Sequence, residues 1–427
     1  LGFGVLTAIP AYRSFEHQCL NCWRSETDQN IFAAERQSTA EVRLASKPGS
    51  YITWLGGLYY LHANTPTEGQ NLGPGADSFS DLSGNQVNQQ GQTKYISESY
   101  AAFGQVTVPV TSALRLTGGA RETEDKKSET AYVLGETGGV INSCSTTAPG
   151  PWPSYQSCLF DTSKSWRAFT YTAGLEADLT TASLVYAKVS SGYKAGGFFQ
   201  GAAPDSYDPE HLISYEIGSK NRFLDDRLQI NLDAFYYNYR DYQVNYISFI
   251  NPASAGIFGI VTANAQGATI YGADLEARYR FTPADEFDAA VYPLHARFKS
   301  LVIGGIFGGD FSHYPLPFAP NFSANLGYQH SWGMGASGTL TARMETHIES
   351  STWVTFQQTA GTHQPSYTNS NGYLTYDGAS GKWSLTGYVK NLENTPVLVN
   401  AQGGPAMLEA ADIAPPRTYG VQLSARF

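Results

Sequence analysis

The chain has 427 residues, more than one typical soluble domain, yet only 15% are charged, against roughly a quarter in ordinary globular proteins. A net charge of −10 with no basic stripe excludes a general nucleic-acid binder, and no uninterrupted apolar run is long enough for a membrane helix. Aromatics at 13%, 28 Tyr, 43 Gly and a mean hydropathy of −0.28 suit strands that alternate between lipid and water, or else a large secreted β protein.

The chain opens on Leu1 with neither a basic n-region nor a hydrophobic signal core, and the stretch from Phe3 to Phe15 already reads as a strand. The numbering is therefore expected to begin inside a longer protein. Four cysteines form two local groups, Cys19/Cys22 and Cys144/Cys158, both in stretches that read as loops. An even count in an oxidising compartment suggests disulfides with three possible connectivities, local pairing being the simplest. The Cys19-Leu-Asn-Cys22 spacing beside His17 suggests metal or redox chemistry only in isolation. No second CxxC completes a zinc site, so a loop clip is the preferred reading.

Segments of alternating polarity then follow one another. Val42 and Leu44 oppose Glu41 and Arg43; Leu114 and Leu116 oppose Arg115 and Thr117; Tyr171 to Leu179 oppose Thr170 to Asp178 at every second position. Val185, Ala187 and Val189 oppose Lys188 and Ser190. Leu228, Ile230 and Leu232 oppose Gln229, Asn231 and Asp233, and Tyr271 to Tyr279 oppose Asp274, Glu276, Arg278 and Arg280. Trp383, Leu385 and Val389 oppose Ser384, Thr386 and Lys390. At the end, Tyr419, Val421, Leu423, Ala425 and Phe427 share one face and Thr418, Gly420, Gln422, Ser424 and Arg426 the other. So many strands with charges on the wet face are hard to house in a soluble core. In a membrane barrel the apolar face meets lipid and the polar face lines a lumen. Tyr193, Tyr236, Tyr279 and Tyr419 sit near ends of the apolar stripes, where interfacial girdles form, although Tyr is also favoured in strands for its β propensity.

The connections alternate in length. Short ones fall at 46–51, 109–112, 179–182, 224–226, 282–285, 332–335 and 378–382; long ones at 16–33, 64–94, 124–164, 195–211, 249–258, 298–319, 350–366 and 393–416. Short turns on one side and long loops on the other is the asymmetry of an outer-membrane barrel, periplasm against exterior. About sixteen strands are predicted: an all-β, transmembrane, antiparallel up-and-down β-barrel. A terminal aromatic is usual in bacterial outer-membrane barrels, which makes Phe427 the expected handle for the barrel-assembly machinery.

Several of these segments resemble TonB-dependent outer-membrane receptors. The end, Val389-Lys-Asn-Leu392 followed by a loop and Pro416-Arg-Thr-Tyr-Gly420, is similar to that family's closing hairpin, and Ser190-Ser-Gly-Tyr-Lys-Ala-Gly-Gly-Phe198 to one of its strand-to-loop patterns. Tyr215 to Lys220, Phe235 to Tyr239, Gly272 to Glu276, Leu316 to Pro320 with Asn325-Leu-Gly327, and Glu41 to Ser46 with Trp54 to Tyr60 match in order. Asn391-Leu-Glu-Asn-Thr-Pro396 departs from the pattern, since a Phe-Asp pair more usually follows Asn-Leu.

The resemblance implies a 22-stranded barrel filled by a plug, with this chain (1–427) supplying the C-terminal strands and neither the plug nor the first six strands. Two unpaired edges in lipid would then cost several kcal/mol for each orphan backbone group. It also implies a bacterial outer-membrane location, surrounding outer-membrane lipid, TonB engaged through the missing N-terminal region, and import of a scarce nutrient such as a ferric siderophore. No cofactor and no enzymatic role are expected. The alternative is a complete 16-stranded passive porin, since sixteen is a porin number. A secreted lectin or hydrolase ranks below both.

No HExxH, GxSxG or Walker A pattern occurs, and the eight His are scattered, with only His313 and His363 in long loops where they could meet. The lumen-face carboxylates Glu41, Glu176, Asp178, Asp274 and Glu276 are expected to pair with Arg43, Lys188 and Arg278. Ligand capture is expected in the external loops, by Trp152 and Tyr155 inside the Cys144–Cys158 loop, by Phe198, Phe199 and Tyr207, and by Trp353 and Phe356, because rigid rings bind organic ligands at low entropy cost. The competing expectation is that these rings pack on one another over the barrel mouth. Lys194 and Arg240 are candidates to attract an anionic ligand.

Overall fold

The computed structural model describes residues 2–19, 28–72, 79–80, 86–137, 140–144, 154–198, 206–249, 258–304, 308–404 and 407–426. Cys22, Trp152, Phe199 and Phe427 lie outside these, as do the side chains of Cys19 and Tyr155.

Among the described residues, two-residue periodicity becomes sixteen long strands: β1 (Gly4–Cys19), β2 (Asp28–Ser46), β3 (Thr53–Leu72), β4 (Gln86–Pro109), β5 (Leu114–Thr137), β6 (Phe160–Thr180), β7 (Ser183–Lys194), β8 (Glu210–Phe223), β9 (Leu228–Phe249), β10 (Phe258–Arg280), β11 (Asp285–Ser300), β12 (Phe322–Gly333), β13 (Gly338–Glu349), β14 (Tyr367–Gly378), β15 (Trp383–Lys390) and β16 (Thr418–Ala425). Each pairs antiparallel with the next, as an up-and-down barrel requires. Among the described residues β1 pairs only with β2 and β16 only with β15.

The apolar face points out. Leu116, Leu175, Leu232, Leu275, Leu385 and Leu423 are each at least 40% exposed. A soluble sandwich would bury these same positions in its core; a barrel in a bilayer presents them to acyl chains. On β9 the outward register runs Leu228, Ile230, Leu232, Ala234, Tyr236, about 26 Å of strand. Barrel tilt shortens that toward the thickness of the hydrocarbon band. Tyr215, Tyr236 and Tyr271 share one row at its upper end, Tyr215 and Tyr236 with ring centroids 6.5 Å apart. Tyr279 and Phe281, 4.3 Å apart, close its lower end.

The periplasmic-side turns are tight. Leu224, Asp225 and Asp226 all take left-handed backbone between β8 and β9, and the Arg227 amide donates to the Leu224 carbonyl at 3.3 Å. Asp tolerates this conformation; for Leu it is costly, so the turn is imposed by the two strands it joins.

The exterior side differs from expectation. Much of 64–94 and 124–164, read from sequence as loop, is strand: β3 reaches Leu72, β4 starts at Gln86, and β5 runs to Thr137. Above the membrane both faces of these strands are polar, so the alternation that marks a strand in lipid disappears while the ladder continues. Cys144 and Cys158 are fully buried and form a disulfide there, with Cα atoms 5.6 Å apart, against Leu134.

Candidate ligand-binding lumen and mouth

Three zones face inward. The lowest is a belt of ion pairs. Arg115 donates to Glu176 at 3.1 Å and also binds Asp178; Arg343 reaches Asp288 at 2.9 Å and Glu345 at 2.7 Å; Arg278 approaches Glu286 at 3.6 Å. Glu41 pairs with Arg43 at 3.4 Å, as the sequence suggests. Glu176 takes Arg115 and not Lys188, and Arg278 takes Glu286 and not Glu276, because the partner lies across the ladder. All of these groups are partly open to water, where each pair contributes little on its own.

In the middle zone an acidic wall is set by register. Asp233 lies directly opposite Asp274, with Glu276 and Glu216 on the same inner face, and the Tyr186 hydroxyl donates to Glu216 at 2.7 Å. On β3 to β5 stands a cationic, aromatic patch. The Arg121 guanidinium lies 5.3 Å from the Tyr59 ring centroid and 5.6 Å from that of Phe103. Higher up, Lys127 and Lys164 are ladder partners, like charges placed opposite one another, and both ammonium groups lie over Trp166, at 5.8 and 5.6 Å. Lys127 donates to the Gly196 carbonyl at 2.7 Å, and burial pulls its pKa below the ordinary lysine value. Lys164 donates to the Ser206 hydroxyl at 2.8 Å and approaches Asp208 at 3.6 Å. Gly196 is required here: a Cβ would stand 2.3 Å from the Tyr207 carbonyl oxygen and 2.7 Å from the Trp166 ring.

The mouth is partly filled by its own connections. Phe298, Leu301, Ile303 and Leu316 pack with Val244 and Phe356 into a core, with Phe311 against Phe356 at 5.1 Å and edge-on.

The predicted ligand residues separate on this frame. Phe356 is 4% exposed inside that core, and Phe198 is 6% exposed between Trp166 and Tyr95, at 6.0 and 6.3 Å. Both therefore pack on neighbouring rings. Tyr207 is half-buried against Gly197, and burial raises its hydroxyl pKa. Trp353 is half-buried beside His363 at 4.6 Å; His313 donates its amide to Phe298 instead, so the two His make separate contacts. Lys194 is exposed and lies on the inner register, opposite Glu210. Arg240 is exposed on the outer register, four positions beyond Tyr236, and so faces away from the lumen. Sequence reasoning missed Trp166, Lys127, Lys164 and Tyr95 because they stand in or beside stretches taken for loops. What places them is the ladder register, Lys127 opposite Lys164 and Asp125 opposite Trp166, which no residue spacing shows. Among the described residues no group of His, Cys, Asp and Glu is arranged to hold a metal.

A family model described as TonB dependent receptor-like, beta-barrel, matches residues 8–392. Among solved structures, the chain is similar to the ferric yersiniabactin uptake receptor FyuA from Yersinia pestis, at 17% identity and TM-score 0.79, covering 100% of this chain and 59% of that one. It is similar to the siderophore receptor PiuA from Acinetobacter baumannii at 15% identity and TM-score 0.72, covering 99% and 62%. The copper transporter OprC gives TM-score 0.68 at 15% identity, covering 98% and 62%. The chain thus spans about six tenths of the length of the structures it matches, and at these identities the likeness establishes the fold.

Proposed function

The chain belongs to the TonB-dependent receptor-like β-barrel family, and from that premise we propose that it forms the wall and mouth of an outer-membrane receptor importing a ferric siderophore or a similar scarce nutrient. The family's members are transporters of the bacterial outer membrane, and the exposed apolar band places this chain there. The family match across residues 8–392 carries the reading. The Arg121 guanidinium over the Tyr59 and Phe103 rings supports an anionic, aromatic cargo, the chemistry of many iron chelates. FyuA and PiuA, whose names give ferric yersiniabactin and a siderophore as cargo, point the same way.

On this proposal residues 1–427 are the C-terminal part of the barrel. A plug and about six further strands complete it, and TonB acts through that other portion. The sixteen long strands among the described residues favour the rival, a passive porin. That rival needs β1 to pair with β16, a ladder absent among the described residues.

Of the candidate ligand residues, Lys194 is exposed on the inner register, and Tyr207 and Trp353 are half-buried. Titrating the complete receptor with catecholate, hydroxamate and carboxylate ferric complexes, followed by tryptophan quenching, should find one class binding at micromolar or tighter. Lys194→Ala should weaken it about tenfold, the loss of one charge-assisted contact. Absence of binding by every class would remove the siderophore reading. An unchanged affinity in the Lys194 variant would remove Lys194 from the site.

A further inference from the structure

One cation of the inner wall is held firmly in place and left without a counter-charge. Arg121 lies across the ladder from Phe103 on β4 and from Thr170 on β6. Its Nε donates to the Thr123 hydroxyl at 3.0 Å, and its guanidinium stands over the Tyr59 and Phe103 rings. Arg115 and Arg343 in the lower belt each have two carboxylate partners. Arg121 has none among the described residues, and Glu41, the ladder neighbour of Tyr59, is engaged by Arg43.

The platform under Arg121 depends on an absent side chain. A Cβ at Gly57 would stand 2.6 Å from Cζ of Phe103 and 2.8 Å from the Val42 carbonyl oxygen. The Phe103 ring therefore leans over β3 at Gly57 and turns its other face to Arg121. Two rings and one hydroxyl thus fix the guanidinium, while its terminal nitrogens keep their donors.

Beside the guanidinium is a cleft of about 260 Å³, lined on the inner face by Gln105, Gly119, Arg121, Thr170, Thr172 and Ser190. The Thr172 and Ser190 hydroxyls lie 3.0 Å apart. Gly119 keeps the cleft open, since a Cβ there would stand 3.1 Å from Cγ2 of Thr172 and 3.3 Å from the Gly104 carbonyl oxygen. Lys188, exposed, is two residues below Ser190 on the same face, about 7 Å along β7. A row of hydroxyls thus runs between a fixed guanidinium and a second cation.

This chemistry selects among anions. A guanidinium fork matches the two oxygens of a carboxylate, and hydroxyls add donors around them. The Phe103 ring at the cleft's edge has one side on Gly57 and the other on Arg121, so it offers no free face for a catechol to stack on. We propose that the cleft is a subsite for a carboxylate arm of the imported chelate, gripped by Arg121, with the Thr172 and Ser190 hydroxyls bonding its oxygens and Lys188 balancing remaining negative charge. The inference rests on the receptor reading above and narrows its cargo to chelates that carry such an arm.

Calorimetric titration of the complete receptor tests it, with ferric citrate, a ferric triscatecholate and a ferric trishydroxamate as probes. Ferric citrate should bind most tightly of the three. Arg121→Gln should weaken it about tenfold, the loss of one charge-assisted pair, and leave the other two probes unchanged. Thr172→Val, which keeps the shape and removes a hydroxyl, should weaken ferric citrate severalfold, and Glu122→Gln, on the exposed outer register, should change nothing. Heat-modifiable gel migration establishes that each variant has folded; should Arg121→Gln fail to fold, Thr172→Val carries the test. Tighter binding of the catecholate or hydroxamate, undiminished in Arg121→Gln, would overturn the subsite and leave the receptor reading standing. An equal loss for all three probes together with lower heat stability would also overturn it, because Arg121 would then brace a neighbouring part of the receptor. Absence of any TonB-dependent uptake would instead remove the receptor reading on which the subsite rests.

Discussion

Leu232→Arg is expected to lower the stability of the barrel in bilayers by about 2–4 kcal/mol, the cost of a cation on the lipid face near the midplane. Leu232 lies at the centre of the outward register of β9, 48% exposed and paired across the ladder with outward Leu275. In lipid no partner is available to an arginine there, and snorkelling to either girdle must cross half of the apolar band. Its neighbour Asn231 supplies the control. Asn231 points into the lumen, where its amide donates to Glu276 at 3.4 Å, so Asn231→Arg should be neutral or slightly stabilising. Urea titration of folding into vesicles, followed by gel migration, reads both. Adjacent residues with opposite tolerance identify a lipid-facing strand. Equal tolerance at the two positions would mean that the exposed leucines do not contact lipid.

Phe298→Ala is expected to cost about 3–5 kcal/mol locally, the range for a buried phenylalanine. Phe298 is 1% exposed and stands edge-on to Tyr242 at 5.8 Å and to Phe356 at 6.4 Å. Its carbonyl accepts the His313 amide at 3.1 Å and its amide donates to Tyr314 at 3.0 Å, so ring and backbone together pin the connection after β11. Loss of the ring should raise hydrogen exchange across 308–320 and 353–364 while leaving β9 and β10 protected. Ligand capture should weaken without loss of the barrel, because the two connections shape the mouth. Phe298→Leu should retain most of the protection, and Val302→Ala, at an exposed position, should change nothing. Loosening that spread through the barrel strands would show that the mouth core and the wall are one cooperative unit.

The wall was legible in the sequence where it lies in lipid. There one face must be apolar and the other polar, so Leu228 to Leu232 and Tyr271 to Tyr279 declare both their strands and their faces. Legibility ended at the girdle. Above it β4 and β5 continue for several turns of ladder with polar residues on both faces, and a pattern built on lipid contact has nothing to register. The same limit hid the candidate site. Trp166 gains its neighbours Lys127, Lys164 and Phe198 from register and from a connection folded inward, and neither follows from residue spacing. The sequence marks the loop aromatics as candidates for ligand capture or for packing on one another, and Phe356 and Phe198 are held in packed clusters, a distinction that burial makes and composition does not. Arg240 shows the converse: its charge was visible, and its side of the wall was not.

Uptake of radiolabelled iron through the complete receptor, in cells lacking their own receptors and with TonB present or deleted, tests the central claim most directly. The account predicts saturable uptake that stops when TonB is removed. Uptake that rises linearly with concentration and persists without TonB would contradict it, and would make the chain the wall of a passive pore.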